Sequence, residues 1–168
     1  MINVKKNKYL LSPIDHNACL YYLIKGLVRG FIKVGKKDIT TWFSFGNEII
    51  GAFRNPDGNA KHSTEYIQAL EDAELICIPY KLIDFLYENF AEANIIGRKM
   101  LAHQYYLASE RAILARIPMA TERYREFEEN SKVELSRIPL RYMATYLGMR
   151  LETLSRIRNK LTPTRLVS

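Results

Sequence analysis

Short apolar runs broken by polar turn signals fill the first half of the chain. "CLYYLIKG" (19–26) and "LVRGFIKV" (27–34) are rich in β-branched and aromatic residues, "GKKD" (35–38) is a turn, and "ITTWFSF" (39–45) follows it. Runs of this kind bounded by turn residues read as strands. "FRNPDGNAKHS" (53–63) holds Pro, Gly and two Asn and reads as a loop. "TEYIQAL" (64–70) alternates polar and apolar positions, and "AELICIP" (73–79) is a further strand after an acidic turn. Many short strands with turns between them predict a β-barrel, roll or sandwich.

The period then changes to that of helices. "YKLIDFLYENF" (80–90) is a short amphipathic helix. From Glu92 to about Arg116 there is no proline and Gly97 is the only glycine, so one long helix is predicted, ended by Pro118. Its apolar residues do not keep to one stripe. Ile96, Met100, Leu107 and Leu114 lie along one side, and Leu101, Tyr105, Ala108, Ala112 and Ala115 cover much of another. A helix apolar on two sides has to be covered on two sides. It either lies deep in its own domain or packs on its own sheet and on a second subunit. For so long a helix in a small domain, a homodimer through about 93–116 is the more economical arrangement. "TERYREFEENS" (121–131) predicts a third helix with Thr121 as its N-cap. Strands, one long helix and a small helical unit make an α+β chain. The predicted parts are 1–90, a connecting helix 91–117, and 118–168.

Composition narrows the class. The chain has 168 residues and is 48% hydrophobic, enough for a real core and unlike a disordered chain. No window approaches the roughly 20 apolar residues of a membrane span. "MINVKKNKYLLSP" starts basic but lacks the apolar segment of a signal peptide. Cys19 and Cys77 show no CxxC or Cys/His spacing, which suggests a reducing cytoplasm and no zinc or iron–sulfur site. Charge is where composition changes the picture most. From Lys132 to Ser168 the cations are Lys132, Arg137, Arg141, Arg150, Arg156, Arg158, Lys160 and Arg165. The acids there are Glu134 and Glu152, so this piece carries +6 of the chain's formal +7. A basic C-terminal piece on a nearly neutral body suits either a solvated basic face or a polyanion-binding module.

The pattern inside that piece favours the second reading. Leu140, Met143, Ala144 and Leu147 fall at i, i+3, i+4 and i+7, after Pro139 in a first turn and before Gly148, which ends the helix. A second helix starts near Arg150 or Leu151 and buries Leu154, Ile157 and Leu161. At about 100° per residue Arg156 points almost opposite that stripe, flanked by Glu152, Thr153, Asn159 and Lys160. A small residue in the first helix, a glycine in the turn and an anchored second helix with polar groups facing out is the layout of a helix-turn-helix. Arg suits guanine, Asn adenine, Glu cytosine, and Thr or Lys phosphate. An ordinary helical hairpin does not explain why the charge concentrates where a DNA groove would lie.

"YYLIKGLVRGF", "DITTWFSFGNEIIG", "EYIQALEDAELICI" and "PLRYMATYLGMRLETLSRIRNKL" together resemble the Crp/Fnr family of bacterial transcription regulators over nearly the whole chain. The resemblance implies an N-terminal antiparallel β-roll of the double-stranded β-helix (jelly-roll) type as sensor domain, a long dimerisation helix and a C-terminal winged-helix-like helix-turn-helix. It maps the operator-facing Glu, Thr and Arg of that family onto Glu152, Thr153 and Arg156. An Arg often found just before the Glu is here Leu151, with Arg150 one residue earlier, a departure that bears on the operator sequence. It implies double-stranded DNA and a second copy of the chain as partners, with an unidentified small-molecule effector and RNA polymerase as further ones. Two departures concern the ends: the chain begins at what looks like the roll's first strand, without the usual preceding helix, and "TPTRLVS" leaves a short wing or none.

Cyclic AMP binders of the family hold ribose and phosphate with a Gly-Glu step and an Arg-Ser/Thr-Ala run. The resemblance offers Gly46 and Glu48 for the first, and Ser63, Thr64 and Glu65 for the second. Ser63 then replaces the phosphate-binding Arg, and the charge of Glu65 would repel a phosphate, so cyclic nucleotide binding is not expected. Lys61 and His62 are the nearest substitutes. A His can ligate haem, but His16, His62 and His103 are scattered without partner motifs, so no cofactor is evident. An enzyme of the cupin type needs His and carboxylate at metal-ligand spacing, and there is no phosphate loop or GxSxG elbow. The remaining alternative is a β-roll ligand-binding or interaction module whose basic tail binds other polyanions, membrane or RNA. A membrane-surface helix would carry aromatic residues beside its cations, and 150–161 has none.

Overall fold

The structure, a computed structural model, describes residues 1–15, 18–51, 65–131 and 135–161. The fold is α+β, with two four-stranded antiparallel sheets and five α-helices among the described residues. The strands are β1 (Ile2–Val4), β2 (Tyr9–Leu11), β3 (Cys19–Lys25), β4 (Val28–Val34), β5 (Lys37–Ser44), β6 (Glu48–Ile50), β7 (Tyr66–Ala69) and β8 (Ala73–Pro79). One sheet has the order β1-β8-β3-β6 and the other β2-β7-β4-β5. The chain forms two compact units, Met1–Gln104 and Tyr105–Ser168.

The first unit is a roll whose interior draws on alternate residues of β8 and on consecutive buried residues of β4 and β7. On β8, Ala73 and Leu75 are buried, and on β3 Leu23 is buried. They meet Val28, Ile67, Ala69, Ile50 and Leu11 in one apolar cluster, with Trp42 packed against it. Gly30 in β4 stands opposite Trp42 in β5. A Cβ there would lie 2.2–2.7 Å from the indole, so only glycine leaves room for the ring. A first strand is expected at the start of the chain from the family resemblance alone, whereas the short β2 and β6 carry no strand signal of their own. Three residues cannot show a period, and their pairing comes from partners far along the chain: Ile2 opposite Leu75, Tyr9 opposite Gln68, Glu48 opposite Leu23.

Helix α1 (Tyr80–Asn89) follows β8 directly, and α2 (Ala91–Arg116) is continuous over 26 residues. Gly97 is the only buried residue of α2 and lies against the Tyr87 ring of α1. Leu101, Tyr105, Tyr106 and Ile113 are 56–77% exposed, whereas Leu107 and Leu114 are half-buried.

In the second unit α3 spans Ala120–Asn130, α4 Leu140–Tyr146 and α5 Leu151–Leu161, with one 3-10 turn at Leu135–Arg137. Helix α3 begins one residue before the expected cap: Met119, in an extended conformation, takes the N-cap position with no side-chain hydrogen bond, and Thr121 is already inside the helix. Pro139 likewise stands at the N-cap of α4 rather than inside its first turn, its φ of −57° being set by the ring. Tyr124, Ile138, Met143, Ala144, Leu147, Leu154 and Ile157 are buried in this unit.

Candidate nucleic-acid interface

The connection between α4 and α5 is built by backbone geometry. Leu147 ends α4 at φ −80°, ψ 2°, and Gly148 follows at φ 61°. The Met149 N–H donates to the Ala144 carbonyl at 3.0 Å and the Gly148 N–H to the Thr145 carbonyl at 3.2 Å. These two bonds are the Schellman pattern, in which a left-handed residue satisfies the last carbonyls of a helix and reverses the chain. A Cβ on Gly148 would meet nothing within 4 Å, so its glycine is explained by φ and not by space.

The Arg150 carbonyl accepts from the Leu154 N–H at 3.1 Å, which places Arg150 at the N-cap of α5 with its side chain exposed. Leu154 is fully buried and Ile157 nearly so, which anchors α5. Glu152, Arg156, Asn159 and Lys160 are all exposed on the opposite side, while Thr153 and Arg158 are half-buried. Among the described residues the side chains of Arg150, Glu152, Arg156, Asn159 and Lys160 make no hydrogen bond or ion pair. Glu152 in the first turn and Arg158 and Lys160 in the last also suit the helix dipole. Leu151 is 43% exposed in the first turn. Its exposure agrees with the resemblance, which puts Leu151 where the family often carries an Arg before the operator-facing Glu.

Behind this face the packing is aromatic and partly polar. Phe127 and Tyr146 have ring centroids 5.1 Å apart. Burial pushes the Tyr146 phenol above its usual range, against a smaller opposing effect of Arg111. Arg141 lies 4.5 Å over the Tyr142 ring.

Of the five positions considered for an effector, Gly46, Glu48 and Glu65 are among the described residues. Gly46 (φ 111°) and Asn47 (φ 56°) make the turn into β6, and Asn47 N–H donates to the Leu23 carbonyl at 2.7 Å. Glu48 is a half-buried strand residue paired with Leu23. Glu65 is occupied: its carboxylate accepts from Thr41 Oγ1 at 2.7 Å and from Trp42 Nε1 at 2.8 Å. Ser63 and Thr64, with Lys61, His62 and His16, lie outside the described residues, as does the segment 162–168 expected to hold any wing. His103 is exposed on α2. No described helix is long and apolar enough to cross a membrane.

The roll, the long helix and the small helical unit match a cyclic-nucleotide-binding-like fold, and its structural neighbours include transcriptional regulators described as of the CRP and Crp/Fnr families. FixK2 from Bradyrhizobium japonicum is similar at a TM-score of 0.82 and 16% identity, over 97% of this chain and 84% of that one. A CooA mutant from Carboxydothermus hydrogenoformans matches at 0.75 and 19%, over 97% and 76%. A CRP-family transcriptional regulator from Thermus thermophilus matches at 0.76 and 14%, over 100% and 87%. No protein-family model matches the chain, and no curated protein matches it in sequence. At these identities the likeness establishes the fold.

Proposed function

We propose that this protein is a cytoplasmic, sequence-specific DNA-binding transcription regulator that works as a homodimer through α2 and reads the major groove with α5. The observation that carries the reading is the two-sidedness of α5. Leu154 and Ile157 anchor it, and Glu152, Arg156, Asn159 and Lys160 stand exposed opposite them. The net charge of +6 in residues 132–168 supplies the attraction for phosphates. The exposed Leu101, Tyr105, Tyr106 and Ile113 of α2 supply the apolar surface for a second copy. A two-fold dimer presents two α5 helices to half-sites about 34 Å apart.

Arg156 reads a base edge, guanine by its bidentate geometry, and Lys160 meets phosphate. Selection of bound duplexes from a random pool tests this. The wild type should yield a two-fold symmetric motif. Arg156→Ala should relax one base pair in each half-site, a discrimination worth about 1–3 kcal/mol. Lys160→Ala should weaken all sequences alike and lower the salt slope by about one. If Arg156→Ala leaves the motif intact, Arg156 is a phosphate contact. If the protein binds anionic vesicles and not duplexes, the DNA reading fails altogether.

A further inference from the structure

Cys19 and Cys77 are 58 residues apart in sequence, yet their sulfurs are 2.8 Å apart in the fold. β3 and β8 are antiparallel neighbours with Tyr21 opposite Cys77 and Cys19 opposite Pro79, so the two cysteines are diagonal neighbours on one face of the sheet. Tyr21, Leu23 and Leu75 point to that same face, the inner face of the roll. Leu23 and Leu75 are fully buried whereas both cysteines are half-buried and unbridged. The thiols therefore lie beside the core with part of their surface exposed to solvent. A disulfide needs its sulfurs at about 2.05 Å, so closure takes a shift of under an ångström within strands that are already paired.

We propose that Cys19 and Cys77 form a dithiol site that is oxidised reversibly to an intramolecular disulfide by a low-molecular-weight disulfide such as oxidised glutathione. The Cys19 thiol is pushed up to about 11, first by its hydrogen bond with Cys77 and then by burial. One of the two cysteines, as its thiolate, makes the first attack. Its thiolate displaces one glutathione thiolate and forms a mixed disulfide. The other cysteine then loses its proton and attacks the protein sulfur of the mixed disulfide, and the second glutathione leaves. Two protein thiols give up two electrons, oxidised glutathione becomes two reduced molecules, and the two protein protons end on their thiols. The bridge ties the start of β3 to the end of β8, where the Tyr80 N–H that opens α1 donates to the Ala18 carbonyl at 2.9 Å. Oxidation thereby fastens the base of α1 to the roll. This inference stands independently of DNA binding.

The full chain, reduced and freed of reductant, is equilibrated with oxidised glutathione at pH 8 and followed by thiol titration, intact mass and peptide mapping. Both thiols should vanish together, the mass should fall by two hydrogens, and the peptides holding Cys19 and Cys77 should be linked. Tm should rise by on the order of 5–10 °C, and dithiothreitol should reverse all of it. Cys19→Ser should accumulate the glutathione adduct at Cys77, since nothing resolves it. Cys77→Ser should likewise stop at an adduct on Cys19. A stable glutathione adduct on the wild type, a bridge between two chains, or two free thiols at equilibrium would each overturn the proposal.

Discussion

Arg29 is 1% exposed in the middle of a strand, and its charge is met by the chain around it. Its guanidinium donates to Gln68 at 3.0 Å, to Thr40 at 3.3 Å and to Asp38 at 3.1 Å, and it lies 4.0 Å over the Phe31 ring. The partners are unequal, because the Asp38 side chain is 38% exposed and Arg29 only 2%. Removing the aspartate leaves a buried cation, whereas removing the arginine leaves an anion that water can reach. Asp38→Ala should therefore destabilise more than Arg29→Met, approaching the roughly 3–5 kcal/mol of a broken buried pair. Urea denaturation of both variants compares them, and equal losses would contradict the asymmetry. Gly148 offers a second contrast at this scale. Gly148→Ala should cost about 1–2 kcal/mol for its left-handed backbone alone, and Gly148→Asn less. Because space is open there, a loss much larger than this would mean that α4 and α5 had moved apart.

Helices α2 and α5 share a feature at the scale of elements: each is only half accounted for by its own chain. In α5 the covered half holds Leu154 and Ile157 and the uncovered half holds charge, which suits a polyanion. In α2 the uncovered half holds Leu101 and Tyr105, which suits another apolar surface. Leu101→Glu or Tyr105→Glu should shift the protein from dimer to monomer in sedimentation. Leu107 and Leu114 are half-buried in the single chain, so substitutions there test folding as much as association. Wild-type sedimentation as a monomer at micromolar concentration would remove the dimer from the proposal. Helix α4 contributes a pH signature. The Tyr146 phenol is raised by burial, so its share of stability is complete below the ordinary tyrosine value of about 10 and is lost as pH climbs above it. Tyr146→Phe should flatten the alkaline fall in stability that the wild type shows.

In the whole molecule, the two sheets depend on contacts made at long range, and the indole of Trp42 reports on them. It packs against the roll core, over Gly30, and donates to Glu65 on the segment entering β7. Gly30→Ala forces the ring out, which should cost about 1–3 kcal/mol by overpacking and shift the emission of this single tryptophan to the red. An unchanged spectrum would mean the strands separate instead. The same roll carries the Cys19–Cys77 pair.

Much of this was legible from the chain alone, and the reason is local periodicity. β3, β4, β5, β7 and β8, the long α2, and the Pro139–Gly148–Leu154 frame all rest on patterns confined to a few neighbouring residues, and the physics that reads them is local as well. The exposed face of α5 followed directly, because burial of Leu154 and Ile157 leaves one direction for Arg156. What the pattern could not supply was every feature made by residues distant in sequence. β1, β2 and β6 exist because Leu75, Gln68 and Leu23 offer them open hydrogen-bonding edges. Arg29 reads as an ordinary surface cation until Asp38, Thr40 and Gln68 gather around it. Glu65, weighed as a repulsive charge in a ligand pocket, spends its carboxylate on Thr41 and Trp42. Cys19 and Cys77 carry no spacing signature because the antiparallel register of β3 and β8, and nothing in their own neighbourhoods, sets one sulfur against the other.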